Sequence, residues 1–291
     1  MTRTFVDEEI ASQPETWSQA AELALVVRDA LPAAGERVAF VGCGTSWFVG
    51  MAVAVHREAR GLGESDAFAA SEFPLGRSYD RVVAISRSGT TTEILELLGA
   101  VAGPTTLITA VPDSPASALA DTTIALPFAD EQSVVQTRFA TSVIALLRAH
   151  AGEDLTGAAA DAQAALSIDV DRYASVEQCT FVATGWAVGL TYEAALKTRE
   201  AAQFWAESYP AMEFRHGPIS VVGGSSTVWV FGPPPARLLE DLQVTGAHVE
   251  NSDLDPMADL IRAQRLAVAL AETKGLNPDE PRHLTRSVVL S

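Results

Sequence analysis

The chain has 291 residues, of which 48% are hydrophobic, and 37 acidic against 20 basic residues give it a formal net charge of −17. This much apolar material is enough for a large buried core. A strongly acidic protein repels nucleic acid backbones and anionic membranes, so we expect neither as a partner.

The two cysteines, Cys43 and Cys179, exclude a disulfide framework, and neither has the paired Cys/His spacing of a structural zinc site. The first residues lack the basic stretch and apolar core of a signal peptide, and no apolar run approaches the roughly 20 residues that span a bilayer. We therefore expect a cytoplasmic protein without a bound metal.

Short apolar runs rich in β-branched residues recur along the chain and predict buried parallel strands. These runs are residues 37–42, 81–86, 105–110, 122–127, 179–185 and 226–232. Segments with helical spacing lie between many of them, notably 48–60 and 93–101, and another covers 161–176. The alternation of strands and helices predicts a doubly wound α/β architecture.

The sequence also contains a faint internal repeat. AFVGCGTSW (39–47) aligns with TFVATGWAV (180–188), which predicts two similar halves, residues 1–152 and 153–291. The second copy lacks the hydroxyls of the first, and GPPP (232–235) offers prolines without amide hydrogens. Only the first half is therefore predicted to bind an anion.

The segment SRSGTT (86–91) joins a predicted strand to a predicted helix and is rich in small donors. Free amides at a helix N-terminus, together with serine and threonine hydroxyls, suit a phosphate group. CGTS (43–46) ends another predicted strand, and the carboxyl ends of neighbouring strands form the usual ligand crevice of an open sheet. The alternative is a simple helix cap. Neither loop has the pattern of a nucleoside triphosphate or dinucleotide site, so we expect no nucleotide cofactor.

Further along, Glu193, Lys197 and Glu200 are spaced to share one face of a helix. A lysine beside a glutamate favours the ionised carboxylate that a general base needs, although a solvated ion pair is the commoner outcome of this spacing. His216 precedes Gly217 and Pro218 in a loop where it could carry a proton, or could simply lie on the surface.

Six motifs in fixed order resemble the sugar isomerase (SIS) domain family. They are CGTS (43–46), ASEF (70–73), SRSGTT (86–91), ALKTRE (195–200), FRHGP (214–218) and PRHLTRSV (281–288). The chain is similar in particular to the isomerase half of glutamine:fructose-6-phosphate amidotransferases and to stand-alone glucosamine-6-phosphate deaminases and phosphosugar isomerases. The resemblance implies two SIS subdomains, each a flavodoxin-like parallel sheet flanked by helices, in a homodimer with active sites at the subunit interface.

The resemblance also implies roles for individual residues. The expected ligands of the sugar phosphate are Thr45, Ser46, Ser86, Arg87, Ser88 and Thr91. Glu200 matches the glutamate that moves a proton between C1 and C2, with Lys197 beside it, and His216 matches the histidine that a neighbouring subunit supplies for ring opening. Further substrate contacts are expected from Gly44, Glu193 and Arg286.

Two departures from the amidotransferases narrow the expected function. The chain has no counterpart of their glutaminase domain, and Arg286 stands where they have a lysine that forms a Schiff base. Because a guanidinium is always protonated, it is no amine nucleophile. We therefore expect C1/C2 proton transfer on a hexose or hexosamine 6-phosphate by an amino sugar phosphate deaminase/isomerase. The alternatives are a simple aldose/ketose phosphate isomerase and a sensor that binds a sugar phosphate without turning it over.

Overall fold

The computed structural model describes residues 4–173 and 175–290, which fold around two parallel β-sheets. The strands are β1 (Val38–Gly42), β2 (Ser65–Ala69), β3 (Arg81–Ile85), β4 (Thr105–Thr109), β5 (Thr122–Ala125), β6 (Gln178–Ala183), β7 (Ala206–Pro210), β8 (Ser226–Phe231) and β9 (His248–Asn251). The helices are α1 (Phe5–Ala11), α2 (Gln13–Val26), α3 (Thr45–Ala59), α4 (Thr92–Ala100), α5 (Arg138–His150), α6 (Thr156–Ala165), α7 (Val188–Ala202), α8 (Leu238–Thr245) and α9 (Pro256–Thr273). The predicted α/β class, with parallel sheets flanked by helices, is confirmed.

All six predicted runs coincide with strands to within a few residues, but three further strands are not marked by an apolar run. β2, β7 and β9 lie at sheet edges, in the orders β2-β1-β3-β4-β5 and β7-β6-β8-β9. Their sequences, SDAFA, AESYP and HVEN, are largely half-buried. An edge strand pairs on one side only and tolerates polar side chains, so its pattern is weak.

The chain divides into two compact units, each built from more than one stretch. The five-strand unit contains residues 15–132, 136–155 and 285–290. The four-strand unit contains residues 4–14, 133–135, 156–173 and 175–284. The helix predicted over 161–176 is wrong for residues 166–173, 175 and 176, since α6 ends at Ala165, and Ala174 lies outside the described residues. The polar residues that follow, including Ser167 and Asp169, favour turns over a helix interior.

In the five-strand unit, alternate residues of the central strands face opposite sides of the sheet. Ala39, Val41 and Ala84 pack with Ile94 and Leu97 of α4 on one face. On the other face α3 approaches so closely that a Cβ at Gly50 would lie 3.3 Å from the Cβ of Phe40. Because helices cover both faces of the sheet, the loops that follow the strands lie at its carboxyl edge.

In the four-strand unit, Val182, Val228 and Val230 pack against α8 through Leu238 and Leu242. The opposite face carries aromatic residues, and the buried indole of Trp229 donates to Asp259 of α9 at 2.9 Å. Arg262 joins Asp259 at 2.8 Å and Glu250 at 2.5 Å, so each buried charge has an opposite partner. These contacts attach α9 to the sheet. Removing any one partner would leave a buried charge uncompensated, which is strongly destabilising.

A second polar cluster joins α3 to the end of α5 in the five-strand unit. His56 Nε2 lies 2.9 Å from Glu153, which also accepts from Arg148 at 2.8 Å. Burial lowers the pKa of His56 below its usual value, although Glu153 acts in the opposite direction. Hydrogen bonds from Arg148 lower the pKa of Glu153 despite its partial burial.

We expect stability to fall on acidification in two successive windows. Below the ordinary histidine pKa of about 6.5 the unfolded chain binds a proton that folded His56 resists, so the free energy of unfolding decreases. The contribution of Glu153 to stability is present above its unfolded pKa and is lost as the pH falls through the lowered folded pKa.

Urea unfolding at pH 7.5 and pH 5.5 measures the first window, in which His56 is responsible for the loss of stability. His56→Gln should reduce that loss, whereas His248→Gln, at an exposed histidine, should leave it unchanged; equal losses in all three proteins would contradict the assignment.

Candidate functional site

The hydroxyl-rich loops lie where the strand order of the five-strand sheet reverses, between β1 and β3. From β1 the chain continues through α3 to β2 on one side, and from β3 it continues through α4 to β4 on the other. The adjacent carboxyl ends of β1 and β3 therefore form a topological switch point, the usual ligand crevice of an open parallel sheet. CGTS and SRSGTT both lie there.

Glycines bring α3 directly over the end of β1. A Cβ at Gly42 would lie 2.4 Å from the backbone carbon of Ser46, and Gly44 has φ 53° and ψ −122°, a conformation reserved for glycine. Thr45 and Ser46 are consequently buried in the first turn of α3. Their hydroxyls are carried at the positive end of the helix dipole.

The second loop orients its serines as hydrogen-bond donors. Ser86 Oγ accepts from the amide of Gly89 at 3.2 Å, and Ser88 Oγ accepts from the amide of Thr90 at 3.3 Å and from its hydroxyl at 2.9 Å. A hydroxyl that accepts still has its own proton to donate. Ser86 and Ser88 can therefore each donate to a bound anion without adding any net charge.

Gly89 fixes the shape of this loop. Its φ is +62°, and a Cβ there would lie 2.0 Å from Ser114 Oγ and 2.4 Å from Ser114 Cβ. Its carbonyl accepts from the amide of Ala116 at 3.0 Å. The loop is thus held against the segment that follows β4, and only glycine fits at this position.

The two loops and the C-terminal segment line one small cavity of about 30 Å³. Its lining includes Ser46, Ser86, Ser88, Thr91, Gln136 and Arg286, with Arg87 and Cys43 beside them. Burial, followed by the charge of Glu93, raises the pKa of Cys43 to about 11, so its thiol stays neutral and does not repel an anion. The cavity combines guanidinium groups with hydroxyl donors, as an anion site does.

The predicted carboxylates lie in the four-strand unit, on one face of α7. Lys197 Nζ is 2.6 Å from Glu200 Oε2 and 3.6 Å from Glu193 Oε1. Glu193 and Lys197 are buried, whereas the Glu200 side chain is 18% exposed. The arrangement is not the solvated ion pair that the spacing alone favoured.

Glu200 faces a cavity of about 440 Å³. The cavity is lined by Leu196, Arg199, Glu200, Gln203, Phe204, Arg282, His283 and Leu284. The Glu200 carboxylate contacts the buried Lys197 ammonium group and also lines the cavity. A carboxylate in this position can accept a proton from a molecule bound in the cavity.

His216 ends a short 3₁₀ turn, Glu213–His216, and is exposed. Gly217 follows with φ +136°, which turns the chain sharply after the imidazole. Within the four-strand unit, His216 does not line the cavity beside Glu200.

Several residues in or next to this small cavity were not anticipated from the sequence. Glu131 and Gln136 lie in an irregular segment between β5 and α5, and Ser287 hydrogen-bonds Thr90 at 2.9 Å from the C-terminal segment. The side-chain oxygen of Gln136 is buried and has no hydrogen-bond partner within the described residues. Neither periodicity nor spacing marks these positions, because folding alone brings them to the loop.

Among the described residues, no group of three or more His, Cys, Asp or Glu side chains is placed to hold a metal ion. In the same part of the chain, no helix is both long and apolar enough to cross a membrane.

Comparison with solved structures shows that the chain shares its fold with enzymes that act on sugar phosphates. The solved glucosamine-6-phosphate deaminase from Thermotoga maritima matches with a TM-score of 0.81 and 23% identity, over 99% of this chain and 100% of that one. The tagatose-6-phosphate ketose/aldose isomerase from Escherichia coli matches with a TM-score of 0.82 and 20% identity, over 99% of this chain and 97% of that one.

Curated relatives point the same way, although no protein-family model matches the chain. A glutamine–fructose-6-phosphate aminotransferase (isomerizing) from Sulfolobus acidocaldarius is 27% identical over 87% of this chain and 50% of its own length. Its counterpart from Xanthomonas campestris pv. campestris is 26% identical over 99% of this chain and 59% of its own length. The chain thus spans 50% and 59% of the length of these two relatives. The resemblance to the SIS family is confirmed at the level of sequence similarity and fold.

Proposed function

We propose that the protein transfers a proton between C1 and C2 of a hexose or hexosamine 6-phosphate, as an amino sugar phosphate deaminase/isomerase. The observation that supports this proposal most directly is the position of Glu200. Its carboxylate contacts the buried ammonium group of Lys197 and lines a cavity. The similarity in fold to a glucosamine-6-phosphate deaminase supports the substrate class. Plain aldose/ketose isomerisation is the second candidate, because the tagatose-6-phosphate isomerase has the same fold.

In the proposed reaction, Glu200 removes the C2 proton of the open-chain aldose and returns it to C1. With a 2-hydroxy sugar the enediol becomes a ketose. With a 2-amino sugar the enolamine becomes an imine at C2, and water then releases ammonia and leaves the ketose. His216 of a second copy opens the sugar ring, and Glu193 keeps Lys197 in place behind Glu200.

In the same proposal the phosphate is bound by the loops of the five-strand unit. Its ligands are Thr45, Ser46, Ser86, Ser88 and Thr91, with Gly44 allowing close approach and Arg87 and Arg286 supplying charge. We further propose that the chain consists of two flavodoxin-like SIS subdomains, residues 1–152 and 153–291. The protein would act in the cytoplasm as a homodimer whose sites lie at the subunit interface.

The lysine content supports an isomerase or deaminase over amino sugar synthesis. Lys197 and Lys274 are the two lysines of the chain. Lys197 is buried between carboxylates, and Lys274 Nζ donates to the carbonyls of Ala202 and Gln203 at 2.9 and 3.3 Å. Arg286 cannot form an imine with the substrate. The proposed reaction therefore proceeds without a covalent intermediate between sugar and protein.

Incubation with a panel of hexose and hexosamine 6-phosphates tests the function, with ammonia and ketose followed separately. We expect ammonia and fructose 6-phosphate in equal amounts from glucosamine 6-phosphate, since one imine hydrolysis yields both. Sodium borohydride added during turnover should not inactivate the enzyme, because no lysine imine is present to be reduced. Ketose from a 2-hydroxy sugar without any ammonia from the amino sugars would favour the plain isomerase, and no product from any sugar would contradict both.

A further inference from the structure

Glu131 is a buried carboxylate with two different neighbours. Its Oε1 accepts from the amides of Thr137 at 2.5 Å and Arg138 at 2.9 Å, so it caps the start of α5. Its Oε2 lies 3.7 Å from Arg87 Nη1. Both side chains of this ion pair are almost completely buried, at 0% and 1% exposure. A pair so deeply buried is sensitive to the loss of either charge.

Arg87 belongs to the SRSGTT loop, yet its guanidinium is turned away from solvent. Its backbone carbonyl accepts from the amide of Ala110 at 3.0 Å and from the hydroxyl of Thr109 at 3.1 Å, which fixes the loop on β4. Its Nη2 donates to the carbonyl of Arg286 at 3.0 Å. Arg87 therefore connects Glu131 with the C-terminal segment.

The C-terminal segment, residues 285–290, lies along the same loop. The carbonyl of Val288 accepts from the amide of Thr92, the first residue of α4, at 3.2 Å, and the amide of Leu290 donates to Thr92 Oγ1 at 2.8 Å. The Arg286 guanidinium donates to the carbonyl of Glu131 and to the carboxylate of Asp130. Both arginines are thus held by residues 130–131.

We propose that Glu131 is a positioning residue of the anion site, and that it acts through Arg87. By holding the Arg87 guanidinium, Glu131 keeps the C-terminal segment in register along the SRSGTT loop. That register places Arg286 in the lining of the cavity, where it sets both the charge and the room available to the anion. This inference rests on the proposed function only for the identity of the ligand, a sugar phosphate.

Glu131→Gln separates the two tasks of the carboxylate. The amide oxygen of glutamine still accepts from Thr137 and Arg138, whereas its NH₂ group would face Arg87 donor to donor. In the protein without ligand, we expect hydrogen exchange at the amides of Thr92 and Leu290 to quicken by about tenfold, because the segment loosens locally. Exchange at the amides of Thr137 and Arg138 should not change.

Glu153→Gln is the matched control, because Glu153 also pairs with an arginine but in a different part of the unit. It should leave exchange at Thr92 and Leu290 unchanged. The double variant Arg87→Met/Glu131→Gln should match Arg87→Met alone, since Glu131 acts through Arg87. Arg87→Met by itself should also quicken Thr92 and Leu290, which provides a reading if Glu131→Gln does not fold.

Unchanged exchange at Thr92 and Leu290 in Glu131→Gln would overturn the inference, and so would additive effects of the two substitutions. Affinity completes the test: glucose 6-phosphate and inorganic phosphate should bind Glu131→Gln about tenfold more weakly than they bind the parent protein, a difference of about 1.4 kcal/mol. If the parent protein binds no sugar phosphate, the proposed function fails. The exchange pattern then still decides whether Glu131 positions the segment.

Discussion

Glu200→Gln should lower the rate of solvent exchange at C2 of the substrate by about 10³-fold, within the range that general base catalysis contributes. Glutamine keeps the size of the side chain and can still accept from Lys197, but it cannot take up a proton. The fold should survive, because Lys197 retains Glu193 at 3.6 Å. Sugar phosphate affinity should be preserved, since the proposed phosphate ligands lie in the other unit.

The measurement is the loss of deuterium from C2-labelled glucosamine 6-phosphate or glucose 6-phosphate, with the dissociation constant determined in parallel. Glu272→Gln, at an exposed glutamate of α9, is the control and should exchange at the parent rate. Undiminished exchange in Glu200→Gln would exclude Glu200 as the base. A parallel loss of affinity and exchange would show that the residue binds substrate instead.

Gly89→Ala should abolish detectable sugar phosphate binding and lower the free energy of unfolding by about 2–5 kcal/mol, the sum of a left-handed backbone and an overpacked contact. The added Cβ would lie 2.0 Å from Ser114 Oγ, so the loop must move away from the segment after β4. Moving the loop displaces Ser86 and Ser88 together, because both are hydrogen-bonded within it.

Gly99→Ala is the matched control in α4. A Cβ there meets nothing within 4 Å, so alanine should be neutral or stabilise the helix by up to about 1 kcal/mol. Adding Ser114→Gly to Gly89→Ala removes the clash but not the positive φ, and part of the stability should return. Chemical unfolding and titration with glucose 6-phosphate follow both effects. A Gly89→Ala protein with parent affinity would disprove the role of the loop.

Much of the fold could be predicted because its central strands are buried on both faces. VAFVG of β1 is buried at every position, and such a run has a clear signature in the sequence. HVEN of β9 is half-buried at the edge of its sheet, and its polar residues match a loop as well as a strand. The end of α6 was misplaced because apolar spacing continues past Ala165 although the helix does not.

The sequence by itself determined the α/β class, the hydroxyl-rich loop with its essential glycine, and the shared helical face of Glu193, Lys197 and Glu200. These features depend on residues close together in the chain, where period and conformation follow from local sterics. Only the tertiary structure decided that Lys197 is buried, and that Arg87 and Arg286 meet at residues 130–131. Burial and long-range ion pairs depend on which distant segments pack together, and a lone arginine or glutamate in a sequence carries no mark of its partner.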